Sequence, residues 1–207
     1  MNIISKIAIV FLIVMAILAF IQPADAAESD LILTPTAGII ENQGAVGAER
    51  YGSDTRIYGL FKLENFIEIG GEVFDRSEEP ELGVLLKTRL IAEGDGRPDI
   101  AVGIRGRSLY AVGSLSLYEN TRGHFGIADN SMGGIFFGID HVINPHDVQI
   151  VDEENGGGMR LPRTRIMAEY IDEAFNFGAR MNLTPELSVE LSLLNVSDAK
   201  VGIHFNF

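Results

Sequence analysis

Val201-Gly202-Ile203-His204-Phe205-Asn206-Phe207 is the stretch that decides the fold. Val201, Ile203, Phe205 and Phe207 alternate with Gly202, His204 and Asn206, and the sequence closes on the aromatic. Period-two alternation describes a strand with one apolar and one polar face. A terminal strand needs a pairing partner, because an open edge templates aggregation. Closing a barrel meets that need by pairing the last strand with the first. The sequence therefore predicts an all-β chain, a transmembrane antiparallel up-and-down β-barrel; an aromatic end after alternating apolar residues, here Val201, Ile203, Phe205 and Phe207, resembles the signal read by the barrel-insertion machinery.

The rest of the sequence divides into alternating segments. Strands are expected at about 43–51, 54–63, 65–74, 81–92, 98–106, 108–119, 123–128, 132–143, 163–171, 174–182, 186–195 and 199–207, about twelve in all, or ten if 123–128 is a loop and one other segment is not a strand. The breaks carry turn chemistry, as in Gly52-Ser53-Asp54, Gly94-Asp95-Gly96 and Thr184-Pro185-Glu186. Phe175, Phe177, Ala179 and Met181 alternate with Asn176, Gly178, Arg180 and Asn182, and Ile100, Val102 and Ile104 with Ala101, Gly103 and Arg105. In a soluble sandwich the apolar face points inward; in a membrane barrel it meets lipid and the polar face lines the lumen. No apolar stretch after residue 27 is long enough for a membrane helix. A membrane location therefore requires a closed barrel.

Residues 1–26 have the order of a cleaved export signal: Lys6, an apolar run from Ile7 to Ile21, then Pro23 and Ala24-Asp25-Ala26. The expected organisation is a signal at 1–26, an irregular lead-in at 27–42 and a barrel at 43–207, destined for the outer membrane of a bacterium with two membranes. The chain has no cysteine, which excludes disulfides, Cys-ligated metals and thiol nucleophiles. Its net charge of −13 argues against nucleic acid as a partner. Outer-membrane lipid is the expected surrounding.

The segment Leu86-Lys87-Thr88-Arg89-Leu90, then Pro98-Asp99-Ile100-Ala101-Val102-Gly103-Ile104-Arg105, resembles the barrel portion of YjbH-type outer-membrane proteins. Met167-Ala168-Glu169-Tyr170 with Phe175-Asn176-Phe177-Gly178-Ala179-Arg180, and the opening Pro35-Thr36-Ala37-Gly38, resemble it too. The resemblance covers about residues 34–207. It implies an outer-membrane barrel linked to exopolysaccharide production and export, with polysaccharide-export components as partners. It supplies no catalytic residues. The chain is far shorter than the long members of that family and lacks their lipoprotein cysteine.

No phosphate loop, nucleophile elbow or paired-His metal motif is present, and neither a cofactor nor a metal is expected. Asp140-His141 and His146-Asp147 are the candidate pairs for chemistry at a rim; the alternative is polar residues at a strand end and in a loop. Asp152-Glu153-Glu154-Asn155-Gly156-Gly157-Gly158 reads as a solvated acidic loop without EF-hand spacing, in the longest gap between strands. Long loops of such barrels usually lie on the extracellular side.

The candidate lumen-lining residues are Glu68, Glu72, Lys87, Arg89, Arg105, Glu169, Arg180, Glu190 and His204. Charges of both signs suit a paired interior network or a water-filled lumen tuned for a polar solute. Arg89 and Arg105 are expected to form a positive patch for an anionic solute. Three functions follow: a narrow passive pore or envelope component, a non-conducting structural or adhesive barrel with a plugged lumen, and an enzyme at the rim.

Overall fold

The computed structural model describes residues 29–75, 80–94, 96–129, 132–144, 148–152 and 157–207, with the backbone alone for 148–152 and 157–160. The expected signal at 1–26 and His146 lie outside the described residues, as do residues 153–156 of the acidic loop.

Among the described residues fourteen strands form: β1 (Gly44–Tyr51), β2 (Asp54–Glu64), β3 (Ile67–Asp75), β4 (Pro80–Ile91), β5 (Asp99–Gly106), β6 (Ser108–Tyr118), β7 (Thr121–Ala128), β8 (Ile135–Val142), β9 (Val148–Asp152), β10 (Gly157–Leu161), β11 (Thr164–Ile171), β12 (Ala174–Asn182), β13 (Leu187–Leu194) and β14 (Asp198–Asn206). Twelve of them close an antiparallel barrel in chain order, with β8 pairing directly to β11 and β14 returning to β1. The remaining two, β9 and β10, pair only with each other. The expected gap at 144–162 therefore contains a hairpin. Because the strand number is even, the chain leaves the barrel at the rim where it entered. The β8–β11 connection, which carries the hairpin, projects from this same terminal rim, and the opposite rim has tight turns such as Gly52-Ser53 and Asp172-Glu173.

Phe207 completes the closure. Its N–H donates to the Gly44 carbonyl at 2.9 Å and its carbonyl accepts from the Gly44 N–H at 2.9 Å. The Phe207 ring lies over Gly44, where a Cβ would come within 2.4 Å of it, and packs edge-on against Phe61 with centroids 5.9 Å apart. Only a glycine leaves that seat open. Of the expected lipid-facing row, Val201 and Ile203 are exposed and Phe205 is half-buried, while Phe207 is buried by its fold over Gly44.

The two faces are inverted relative to a soluble protein. Phe125, Ile127, Ile135, Phe137, Phe175 and Phe177 are exposed on the outside. Glu49, Arg56, Glu68, Lys87, Glu169 and Lys200 are buried inside. An apolar exterior of this extent has no place in water. It matches the lipid-facing band of a transmembrane barrel, so the sandwich alternative is excluded by burial. The strand bulge between Arg89 and Ile91 breaks the alternation locally and leaves both Leu90 and Ile91 exposed.

Phe177 pairs across β11 with Ala168 and across β13 with Leu193 on this outer face. Phe177→Arg should destabilise the folded barrel by about 2–4 kcal/mol if the site lies near the bilayer midplane. Urea titration in lipid vesicles reads this directly. A spin label at 177 should be quenched from the lipid phase, and one at 180 should not.

Candidate functional site

The lumen is occupied by the chain itself. Residues 29–42 run inside the barrel, and Leu31, Ile32, Thr34, Ala37, Ile39 and Ile40 are all buried there. The segment begins as a tight reversal: Asp30 bridges Pro35, the Leu31 N–H donates to the Thr34 carbonyl at 2.9 Å, and the Thr36 N–H to the Ser29 carbonyl at 2.9 Å. The irregular lead-in expected from Pro35 is therefore a plug.

A plug without regular structure has backbone groups that no ladder satisfies, and buried groups must be paired. The wall supplies the partners as side chains. The Glu169 carboxylate accepts from the N–H groups of Ile32 (3.2 Å), Leu33 (2.9 Å) and Thr34 (3.0 Å) and from the Thr34 hydroxyl (2.9 Å). Arg180 donates to the Leu31 carbonyl at 2.9 Å, Lys200 to that of Ile32 at 2.7 Å and Arg105 to that of Leu33 at 2.5 Å. Lys87 donates to the carbonyls of Ser29 (2.9 Å) and Gly38 (2.8 Å), and Glu68 accepts from the Ser29 hydroxyl and the Ile40 N–H. Gly138 makes room for the plug: a Cβ there would meet Leu31 Cδ1 at 2.2 Å.

Eight of the nine expected lumen residues thus belong to one system. Glu68, Lys87, Arg105, Glu169 and Arg180 hold the plug. Glu72 pairs with Arg56 at 2.7 Å, which also reaches Glu49 at 3.2 Å. Glu190 receives Arg180 at 2.5 Å and Lys200 at 2.9 Å. His204 Nδ1 lies 2.7 Å from the Tyr58 hydroxyl and Nε2 lies 3.4 Å from Glu190. Glu49, Glu190 and His204 come close enough together to resemble a metal-ligating set. A cation already lies among them: the Lys200 ammonium is 3.1 Å from Glu49 and 2.9 Å from Glu190.

The ninth, Arg89, sits apart, and the expected patch of Arg89 with Arg105 does not form. On the β4–β5 ladder Arg89 is opposite Ala101 and Arg105 is opposite Leu85. Four strand positions separate them, roughly 13 Å along the strand. Arg105 is engaged by Leu33 and by Asp30 at 3.6 Å, whereas Arg89 donates to the Asn65 carbonyl at the terminal rim.

Reading the sequence did not single out Glu49, Arg56, Ser114, His124 or Lys200, though alternation places each on the inner face. Ser114 Oγ and His124 Nδ1 are 2.7 Å apart, His124 Nε2 and Asp140 Oδ2 2.8 Å, and Arg165 lies 3.5 Å from Asp140. This has the membership of a hydrolytic triad but not its access. Ser114 is fully buried, and its Oγ accepts the Ala37 N–H at 2.9 Å. The chain of contacts brackets the plug. His141, one of the expected rim histidines, is exposed, with Nδ1 2.8 Å from the Thr121 hydroxyl.

Above the plug, at the terminal rim, lies a polar cavity of about 490 Å³. Thr36, Gly38, Ile39 and Ile40 form its floor, and Lys62, Arg89, Arg122, Arg163 and Arg165 are in its wall. Arg122 is paired with Glu93 at 2.9 Å and Asp99 at 3.0 Å. Burial pushes the Glu93 carboxyl up, but hydrogen bonds from Ser116 and the Arg122 charge outweigh it and hold the group below the usual carboxylate range.

Solved structures that resemble this one include the following two. A KdgM porin superposes with a TM-score of 0.52 at 12% identity, covering 79% of this chain and 98% of its own. The outer membrane protein Omp33 of Acinetobacter baumannii gives a TM-score of 0.44 at 10% identity, covering 80% of this chain and 98% of its own. The first comparison shows a shared porin-type barrel fold. No protein-family model and no curated protein matches the sequence.

Glu169→Ala should orphan three N–H groups at the plug tip, those of the buried Ile32 and Thr34 and the half-buried Leu33. Hydrogen bonds to charged groups contribute about 1.5–3 kcal/mol each, so the plug should loosen well before the barrel melts. Gly138→Leu should expel Leu31 by collision. Hydrogen exchange should show amides 32–34 losing protection in both variants while strand amides keep theirs.

Proposed function

We propose that the protein is an outer-membrane barrel held closed by its own N-terminal segment, a non-conducting envelope component in its resting state. The observation that carries this is the hydrogen bonding of the plug: backbone groups from Ser29 to Ile40 are bound by charged side chains from β3, β4, β5, β11, β12 and β14. Side chains committed in this way are not lining a water path. The outer membrane is the location favoured by the apolar exterior and by the fold shared with a porin.

The exopolysaccharide link implied by the YjbH-type resemblance fits this reading as a role in the envelope beside export components. A polymer conduit does not suit a lumen filled by ten or more residues of the chain. The rim-enzyme reading, which rested on Asp140-His141 and His146-Asp147, is weakened at the first pair: Asp140 is buried and engaged by His124 and Arg165, while His141 meets the Thr121 hydroxyl on the exposed side.

Planar-bilayer recording tests the proposal. The full chain should insert and remain electrically silent. A variant lacking residues 29–40 should show steps of conductance, since the charged inner wall then hydrates. Stable open channels from the full chain would contradict the reading.

A further inference from the structure

We propose that the cavity at the terminal rim is a binding site for a small soluble oligoanion, one that carries two or more carboxylate or phosphate groups. The chain is strongly acidic, with 16 Lys and Arg against 29 Asp and Glu, yet five of those cations converge on this one cavity. Three of them have no ion-pair partner among the described residues. Among the described residues, Lys62 donates to the main-chain carbonyl of Glu41 and Arg89 to that of Asn65, and the Arg163 guanidinium meets no carboxylate within ion-pair distance; the Glu41 side chain lines the same cavity. The other two, Arg122 and Arg165, are neutralised by Glu93, Asp99 and Asp140 and serve as structural walls.

Unpaired cations gathered in a concave site raise the local concentration of anions. Guanidinium groups match carboxylate and phosphate oxygens in bidentate geometry, and two arginines with a lysine suit more than one anionic group at once. A volume of about 490 Å³ falls in the range of small-molecule sites. The source of the anion follows from direction. Lys62 and Arg89 project from the inner face of their strands, so the cavity opens along the barrel axis into water and not toward lipid headgroups at the outer wall. The plug residues Gly38 to Ile40 form the floor, so a bound anion sits on the plug and does not pass it. The site is complete in the closed barrel, so its binding is read on the full chain without any conductance, and the two tests fail separately.

The test is isothermal titration of the full chain in nonionic detergent with citrate and with inorganic pyrophosphate, using maltose as the uncharged control. At least one anion should bind with a Kd at or below about 1 mM, maltose should not, and affinity should weaken severalfold between about 0.01 and 0.15 M salt. Arg89→Gln and Arg163→Gln should each reduce affinity about tenfold or more. Arg107→Gln, the same charge change at the highly exposed one-residue turn of the far rim, should leave it unchanged. Citrate binding alone assigns a carboxylate ligand, and pyrophosphate binding alone a phosphate ligand. Absence of binding by either anion overturns the proposal. So does equal loss in the Arg107 variant, which would mean a general charge effect and no site.

Discussion

A chain segment that is neither helix nor strand, enclosed in a barrel, has to find a partner for every buried N–H and carbonyl. Most of the interior follows from that constraint. The Glu169 carboxylate lies where three successive amides converge, and Lys87, Arg105, Arg180 and Lys200 lie where carbonyls point outward from the plug. Glu169, Lys87, Arg180 and Lys200 are buried and Arg105 is largely so, and such charges are tolerated only because they are paired and hydrogen-bonded. Plug and wall therefore stabilise one another, and neither half of the interior is satisfied without the other.

The ion pairs extend this dependence around the barrel. Arg56 joins Glu49 to Glu72, Lys200 joins Glu49 to Glu190, and Arg180 joins Glu190 to the plug. Removing one member of such a buried network leaves an uncompensated charge, at a cost of about 3–5 kcal/mol. A second, apolar patch of the lumen, with Ala37, Tyr110, Val112 and Phe136 in contact, gives the plug a dry seat on the opposite wall. The interior is thus a core of mixed character, and among the described residues the cationic cavity at the terminal rim is a sizeable space left above the plug.

Much of the barrel was legible in the sequence because alternation and turn residues are local signals. The segment expected at 174–182 is β12, and the one expected at 54–63 is one residue short of β2. The inner placement of Glu68, Lys87, Glu169 and Arg180 follows from the same parity. What parity cannot report is a partner. Leu31-Ile32-Leu33 has no alternation, and nothing in it indicates that Glu169, more than a hundred residues later, will bind its amides. The supposed Arg89–Arg105 patch failed because two residues on one face of neighbouring strands can still be four positions apart. The β9–β10 hairpin was missed because five-residue strands between Pro145 and Pro162 look like loop.

The central claim is that residues 29–42 fill the lumen of the folded barrel. The absence of native cysteine allows a clean measurement. A single cysteine at Ala37, which is fully buried, should be unreactive toward a hydrophilic maleimide in the folded, membrane-inserted protein and should react at the free-chain rate after denaturation. A single cysteine at the exposed Asn195 should react in both states. Rapid labelling at position 37 in the folded barrel would place the segment outside the lumen and contradict the account.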